Sequence, residues 1–355
     1  MKKLFVRLLV IILPVGLMVG LFNYFVDPAN IFAPASYIGG IADILSRGHN
    51  VNNLSNYNER LLQEQLLKKQ EKPVDVMILG SSRVMEIGSD FFPGRTVLNC
   101  GVSHGNINDL VSIVGLADSL GRLPQEVVIG LDHFLIGQGA SREWKSLYAY
   151  RQYFLSKYDT LGGRYADAES SDPPKKLISL LSLDYFKSSI DFFSKRISKK
   201  YFDVGKEIPS ASGRLSDGTV HYTDAYANPD TLKTAIDARV TGLKLGIPLM
   251  DTTRIVLFDK LLDFLQQKKI KVSFVMIPYH PEFYKALQQR QGALLSVYAD
   301  LFRSTAERRH IPMIGSFDAD GLGMPRKYFY DLYHCSRLAI KKYVMVEQPA
   351  DRTGK

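Results

Sequence analysis

The sequence predicts an α/β protein with a parallel sheet and helices on both faces, preceded by one N-terminal membrane helix. Three observations indicate this architecture. Short apolar runs alternate with helical patterns along most of the chain, residues 8–26 carry no charge, and the interval 140–249 breaks the alternation. Strands separated by helices are typical of a parallel sheet covered on both faces. With 355 residues and 46% hydrophobic content, the chain can bury one large core.

Residues 8–26 predict a membrane-spanning helix. At about 1.5 Å per residue, this run is long enough to cross a hydrocarbon layer of about 30 Å. Lys2, Lys3 and Arg7 precede it, so the positive-inside rule places the N-terminus in the cytoplasm and the rest of the chain outside. A cleaved signal peptide is the competing interpretation, but the run is long and no Ala-x-Ala site follows it. No second run is long enough to span, which predicts a single pass.

The first core strand is expected at 74–79, because this apolar run ends in the turn residues Gly80-Ser81-Ser82. Before it, residues 27–53 are interpreted as a connector and 55–71 as a helix with leucines on one face. The same patterns predict further strands at 96–99, 126–131, 271–277 and 311–314. They predict further helices at 107–120, 254–268, 281–308 and 336–347.

These elements divide the chain into an anchor, a core and an insertion. The expected boundaries are 1–30 for the N-terminus and anchor, 31–73 for the connector and helix, 74–139 and 250–347 for the core, 140–249 for the insertion, and 348–355 for the tail. The insertion is interpreted as a lid or docking surface, with a hairpin turn at Asp217-Gly218.

The stretch 175–200 is strongly basic, with seven Lys or Arg against Asp184 and Asp191. Apolar residues recur through it at near-helical spacing. This favours an amphipathic helix, either beside an anionic lipid or polymer or simply packed on its own domain with a solvated face. Nucleic acid is not an expected partner, because the domain is predicted to lie outside the cytoplasm.

Three polar segments follow predicted strands, where catalytic groups belong in an open parallel sheet. They are Gly80–Arg83, Asn99–Gly105 and Asp331–His334. Nucleophilic acyl transfer needs a hydroxyl, a base and a carboxylate that orients the base. Ser82 could supply the hydroxyl, His334 the base and Asp331 the carboxylate. The backbone N–H groups of Ser82 and Gly101 could stabilise an oxyanion.

On these residues the chain resembles the SGNH, or GDSL-type, hydrolase superfamily, which implies a flavodoxin-like core. Gly80-Ser81-Ser82 is similar to its first block, Asn99-Cys100-Gly101 to its second, and Asp331-Leu-Tyr-His334 to its closing Asp-x-x-His block. The resemblance covers residues 74–135 and 250–347 and implies the catalytic roles given above for Ser82, Asp331, His334 and Gly101.

The third block of that superfamily, Gly-x-Asn, is replaced here by Gly130-Leu131-Asp132. The Asn of that block belongs to the oxyanion hole, and an ionised Asp132 at that position would oppose a developing oxyanion. We therefore expect Asp132 to turn away or to be paired, with Arg83 or His133 as its partner.

Other residues near the strand ends are candidates for the pocket wall. Arg83 and His133 adjoin the blocks above, and Tyr279 and His280 lie in a Pro-Tyr-His-Pro segment that could contact substrate or form a rigid turn. Neither a cofactor nor a metal is expected, since no ligand spacing is present. Cys100 and Cys335 could form a disulfide or remain as two buried thiols.

Ser103 is a rival nucleophile. Gly101-Val-Ser103-His-Gly105 matches the Gly-x-Ser-x-Gly elbow of α/β-hydrolases. That fold places its elbow after several strands, however, and only two are predicted before Ser103. Ser82 is therefore the favoured nucleophile.

The anchored layout resembles that of the D-alanyl transfer proteins of teichoic acid modification and of the O-acetylation proteins of alginate-type exopolysaccharides. The resemblance implies a protein of the bacterial inner membrane whose extracytoplasmic domain transfers an acyl group, most plausibly acetyl, to an envelope polysaccharide. It also implies a multi-pass membrane-bound O-acyltransferase as partner. The alternatives are a carbohydrate esterase with the same triad and a non-catalytic assembly or polysaccharide-binding protein.

Overall fold

The computed structural model describes residues 2–26, 34–54, 57–139, 141–158, 180–195, 201–222, 247–291 and 294–345. The strands are β1 (Val51–Asn52), β2 (Val76–Leu79), β3 (Val97–Asn99), β4 (Glu126–Leu131), β5 (Phe202–Asp203), β6 (Gly213–Arg214), β7 (Val220–His221), β8 (Lys271–Met276) and β9 (Met313–Gly315). The helices are α1 (Lys2–Val26), α2 (Pro34–Ser46), α3 (Glu59–Lys69), α4 (Ile107–Ser119), α5 (His133–Ile136), α6 (Tyr148–Tyr158), α7 (Leu183–Lys195), α8 (Thr252–Gln267), α9 (Pro281–Gln291), α10 (Leu294–Arg309) and α11 (Arg337–Ala339).

A five-stranded parallel sheet forms the centre of the domain. Its strands run in the order β3-β2-β4-β8-β9, and each neighbouring pair is parallel. The predicted α/β class with a parallel sheet is therefore confirmed. The chain reverses its direction of travel across the sheet between β2 and β4, and ligands in open parallel sheets bind beyond the strand ends at such a reversal.

Helices flank this sheet, and alternate strand residues point to its two faces. Met77 and Leu79 of β2 belong to a large buried cluster that includes residues of α3, α4, α8 and α10. Val76 and Ile78 belong to a smaller cluster on the other face, which includes Ile340 and other residues near α11. Because both faces are buried, the central strand β2 is apolar throughout rather than alternating with polar residues.

A small antiparallel sheet joins the connector to the insertion, in the order β5-β1-β6-β7. The predicted hairpin is confirmed: β6 pairs with β7, and Gly218 in the turn between them has a φ of 81°. The turn docks on the parallel sheet, because the Asn99 N–H donates to the Asp217 carbonyl at 2.7 Å. The insertion is thereby attached beside the end of β3.

Three predicted segments differ in the structure. Residues 34–46, expected in the connector, form α2, and residues 51–52 form β1. The predicted helix 281–308 is described as two helices, α9 and α10, with residues 292 and 293 outside the described residues. The predicted helix 336–347 is only the short α11 followed by a π-helical turn at Ile340–Val344. The tail 348–355 and much of the basic stretch 175–200 lie outside the described residues.

The predicted membrane-spanning helix is not supported by the structure. Within the residues described, no helix is long and apolar enough to cross a membrane.

A buried ion pair ties α3 to the start of α4. Arg60 Nε donates to Asp109 Oδ1 at 2.9 Å, and the two side chains are 2% and 0% exposed. Asp109 also accepts the Asn106 N–H at 2.9 Å and so completes the N-terminal cap of α4. Arg60 in turn donates to the Ser103 carbonyl at 2.8 Å, so the pair also holds the loop that follows β3.

Replacing Arg60 by Met should destabilise the protein by about 3–5 kcal/mol, because Asp109 would remain buried without its cation. Urea unfolding followed by circular dichroism measures this change. Arg303→Met is the matched control, since the Arg303–Asp300 pair is exposed on both sides and its loss should cost about 0.5 kcal/mol or less. A loss below about 1 kcal/mol for Arg60→Met would contradict this role of the pair.

Candidate active site

Ser82 lies on a tight turn at the end of β2. Gly80 has a φ of 153°, and a Cβ built on it would lie 3.0 Å from Val84 and 3.2 Å from the Gly130 Cα, so only glycine fits there without displacing a neighbour. Ser81 caps the 3-10 turn Ser82–Val84 that follows. Because Gly80 packs closely against Gly130 and Val84, the turn places Ser82 at the carboxyl edge of the sheet. The Ser82 side chain is half-buried there.

The structure brings Ser82, His334 and Asp331 into one hydrogen-bonded chain. His334 Nε2 lies 2.8 Å from Ser82 Oγ. His334 Nδ1 lies 2.8 Å from Asp331 Oδ2 and 3.0 Å from Oδ1. The serine and the histidine are 252 residues apart in sequence. This is the geometry in which an imidazole can remove a hydroxyl proton while a carboxylate orients it.

Asp331 is held as an anion in a loop that also accepts backbone N–H groups. Burial acts to raise the pKa of Asp331, but hydrogen bonds and charge from His334 and backbone bonds from Tyr333 and His334 outweigh it and leave the pKa below its usual range. The Tyr333 and His334 N–H groups donate to Asp331 Oδ1 at 2.7 and 2.8 Å. The carboxylate is thus fixed before any substrate arrives.

The backbone around Gly101 is clamped by Asn99. The Gly101 N–H donates to Asn99 Oδ1 at 2.8 Å, and Asn99 Nδ2 donates to the carbonyls of Val84 and Ile87 at 2.7 and 2.8 Å. The side chain of Asn99 therefore joins the second loop to the turn that carries Ser82. In this geometry the Gly101 N–H is already engaged, and its role as an oxyanion donor stays a prediction.

Asp132 is paired rather than free to face an oxyanion. Its carboxyl group accepts the Ser81 hydroxyl and the Phe134 N–H at 2.9 Å, which caps α5. The expected partners Arg83 and His133 do not hydrogen-bond to it within the described residues. Burial raises the pKa of Asp132, and the charge of Arg83 acts in the opposite direction.

The other predicted pocket residues lie close to each other beneath the site. The Arg83 guanidinium carbon is 3.5 Å from the centre of the Tyr279 ring, and Arg83 donates to the Ile277 carbonyl. The Tyr279 hydroxyl lies 2.7 Å from His133 Nδ1. All three side chains, and that of His280, are buried, so in this structure they support the site rather than line an open pocket. Burial and the charge of Arg83 lower the pKa of His133 to about 3.

Glu86 is a buried carboxyl beside the site that sequence reasoning did not single out. It is 6% exposed, and Tyr330, which immediately precedes Asp331, donates to its Oε1 at 3.2 Å. Its Oε2 has no hydrogen-bond partner among the described residues. Burial raises the pKa of Glu86 to about 8, although Tyr330 and Arg337 act to lower it. No sequence pattern marks this residue, because its burial depends on the fold alone.

Ser103 has a different environment from Ser82. Its backbone N–H donates to Glu59 and its carbonyl accepts from Arg60. Within the described residues its hydroxyl has no hydrogen bond to a histidine. Cys100 and Cys335 are both buried free thiols, and burial raises the pKa of each to about 12. No cluster of metal-binding side chains occurs among the described residues.

Comparison of the chain with family models, with curated proteins and with solved structures finds no match.

Gly130→Ala should destabilise the protein by about 1–3 kcal/mol, because the new Cβ would collide with Val84 in the turn that carries Ser82. Combining it with Val84→Ala, which removes the colliding methyl groups, should recover part of this loss. Thermal unfolding of the two variants measures the effect. If Gly130→Ala alone unfolded at the same temperature as the wild type, the contact of Gly130 with Val84 would not determine the shape of the turn.

Glu86→Gln should stabilise the protein increasingly as pH rises. Folded Glu86 keeps its proton up to a pKa of about 8, whereas the unfolded side chain loses it near 4.5, so unfolding releases a proton and is favoured by alkali in this window. The melting temperature of the variant relative to wild type should therefore rise between about pH 5 and pH 9. Glu207→Gln, at an exposed position, is the charge-matched control, and an equal trend in both variants would contradict the assignment.

Proposed function

We propose that this protein is an extracytoplasmic serine O-acyltransferase that passes an acyl group, most plausibly acetyl, to a hydroxyl of a bacterial envelope polysaccharide. The observation that carries the proposal is the hydrogen-bonded chain of Ser82, His334 and Asp331 at the carboxyl edge of the parallel sheet. The resemblance of its sequence blocks to the SGNH superfamily supports the same chemistry.

The two half-reactions use the same base. Ser82 Oγ attacks the acyl carbonyl of the donor while His334 Nε2 takes the hydroxyl proton, and His334 then gives that proton to the departing donor oxygen. In the second half-reaction, a polysaccharide hydroxyl attacks the acyl-serine, His334 takes its proton, and the Ser82 oxygen regains it. Asp331 keeps the imidazole oriented and stabilises it when it is charged.

Attachment to a membrane is part of this proposal. The uncharged run 8–26, with basic residues before it, supports a single-pass anchor whose N-terminus is cytoplasmic. Its described apolar side chains, Met18 and Phe25 among them, are exposed over much of α1, and such a surface requires an apolar cover. An anchored site next to a membrane donor favours transfer, with a multi-pass membrane-bound O-acyltransferase as the proposed partner.

An esterase that removes the same acyl groups is the second candidate. The side chains of His334 and Asp331 are 25% and 46% exposed, so water can reach the acyl-serine as readily as a sugar hydroxyl. Transferase and esterase differ only in which hydroxyl attacks in the second half-reaction.

Ser82→Ala should lower turnover of an activated acetyl ester by about 10⁴-fold, because no hydroxyl remains for His334 to activate. Mass spectrometry of the wild type after brief exposure to the ester should find the acetyl group on the Ser82 peptide. Ser103→Ala is the matched control and should retain both properties. Acetylation at Ser103, or full activity in Ser82→Ala, would overturn the assignment. Adding an oligosaccharide acceptor separates transfer from hydrolysis by the product formed.

A further inference from the structure

Helices α1 and α7 pack side by side along the C-terminal half of α1. The Phe22 and Phe186 rings meet edge to face with centroids 5.5 Å apart. Leu181, just before α7, lies over Gly16 and Gly20, where an added Cβ would be 3.9 and 3.8 Å from its Cδ2. The start of α7 is therefore level with the middle of the uncharged run 8–26, and its later turns are level with the end of that run.

Asn23 binds the two helices together through polar contacts. It is fully buried, and its Nδ2 donates to the Leu180 carbonyl at 2.8 Å. The Ser189 hydroxyl donates to Asn23 Oδ1 at 2.8 Å. Both ends of the amide are thus satisfied, one by Ser189 of α7 and the other by Leu180, three residues before α7. Polar groups in hydrocarbon need such internal partners, and water-facing ones do not.

One side of α7 carries exposed apolar side chains, and the charged side chains of Asp184, Lys187 and Asp191 are exposed beside them. Leu183 is 71% exposed, and Leu181, Ile190 and Phe193 are exposed as well. An apolar groove of about 750 Å³ is lined by residues of α1 and by Leu180 and Leu181, just before α7. Ser188 is also exposed but lies about 140° around the helix from Leu183, since successive residues turn by about 100°.

We infer that α7 inserts with α1 into the outer leaflet of a lipid bilayer, so that the domain is held by two helices rather than by one. The inference rests on the proposed membrane attachment of α1. If residues 8–26 enter the bilayer, the ten helical steps from Gly16 to Val26 cover about 15 Å, half of a hydrocarbon layer of about 30 Å. Leu181 and Leu183 then lie below the headgroups, because they are level with this part of α1.

Lipid is the occupant that fits the surroundings of α7. Exposed apolar side chains lie on both α1 and α7, a surface wider than a single partner helix would cover. The stretch 175–200 also carries seven Lys or Arg against Asp184 and Asp191, a charge excess that favours anionic headgroups. A helix inserted beside the anchor would restrict the domain to one orientation over the membrane.

Tryptophan quenching by brominated lipid tests the inference in the full chain. The only native tryptophan, Trp144, is buried, so a tryptophan added at an exposed position reports its own surroundings. Met18→Trp, Leu183→Trp and Ser188→Trp are each reconstituted in vesicles of phosphatidylcholine and phosphatidylglycerol, with and without dibromo-phosphatidylcholine. The added fluorescence of Met18→Trp and Leu183→Trp should fall by roughly twofold, and that of Ser188→Trp should change little.

The outcomes separate this inference from membrane attachment itself. Quenching at position 18 without quenching at 183 would overturn the insertion of α7 and leave the attachment of α1 intact. Absence of quenching at both positions would overturn both. A blue-shifted but unquenched signal at 183 would show that a second copy of the chain covers α7, which also overturns the inference. As a further check, Asn23→Ala should reduce quenching at 183 while quenching at 18 persists.

Discussion

The candidate site depends on the close contact between Gly80 at the end of β2 and Gly130 near the end of β4. A side chain at either glycine would meet Val84 on the turn above. With both Cβ atoms missing, that turn packs directly on the neighbouring strand and presents Ser82 at the edge of the sheet. Backbone packing therefore positions the serine beside His334, whose Nε2 lies 2.8 Å from the Ser82 hydroxyl.

Around this contact, buried polar side chains hold the loops that the sheet alone would leave free. Asn99 joins the loop after β3 to the loop after β2, and Arg60 with Asp109 holds the start of α4 to α3. Burying such groups costs free energy unless they are hydrogen-bonded or ion-paired. These contacts therefore favour one arrangement of the loops over others. The active-site loops are thereby fixed although they carry little regular structure.

The loop that carries Asp331 is also supported from the side of the insertion. The hairpin turn at Asp217 bonds to Asn99 and to the Ser89 N–H, and the Tyr222 ring lies 5.7 Å from that of Tyr330. Tyr330 in turn contacts Glu86 and precedes Asp331. The described part of the insertion thus forms a wall beside the site, on the same body that α1 and α7 are proposed to hold at a membrane.

Local pattern in the sequence determined the parallel strands, most of the helices and the triad candidates, because apolar periodicity and turn residues are short-range signals. Only the tertiary structure decided which polar side chains are buried and which partners they bond to. It paired Asp132 with Ser81, and it buried Glu86 beside Tyr330 and Arg60 beside Asp109. It also formed α2 and continued the last predicted helix as a π-helical turn from Ile340, where long-range packing outweighs local pattern. Burial and pairing arise between residues far apart in the chain, so no local pattern carries them.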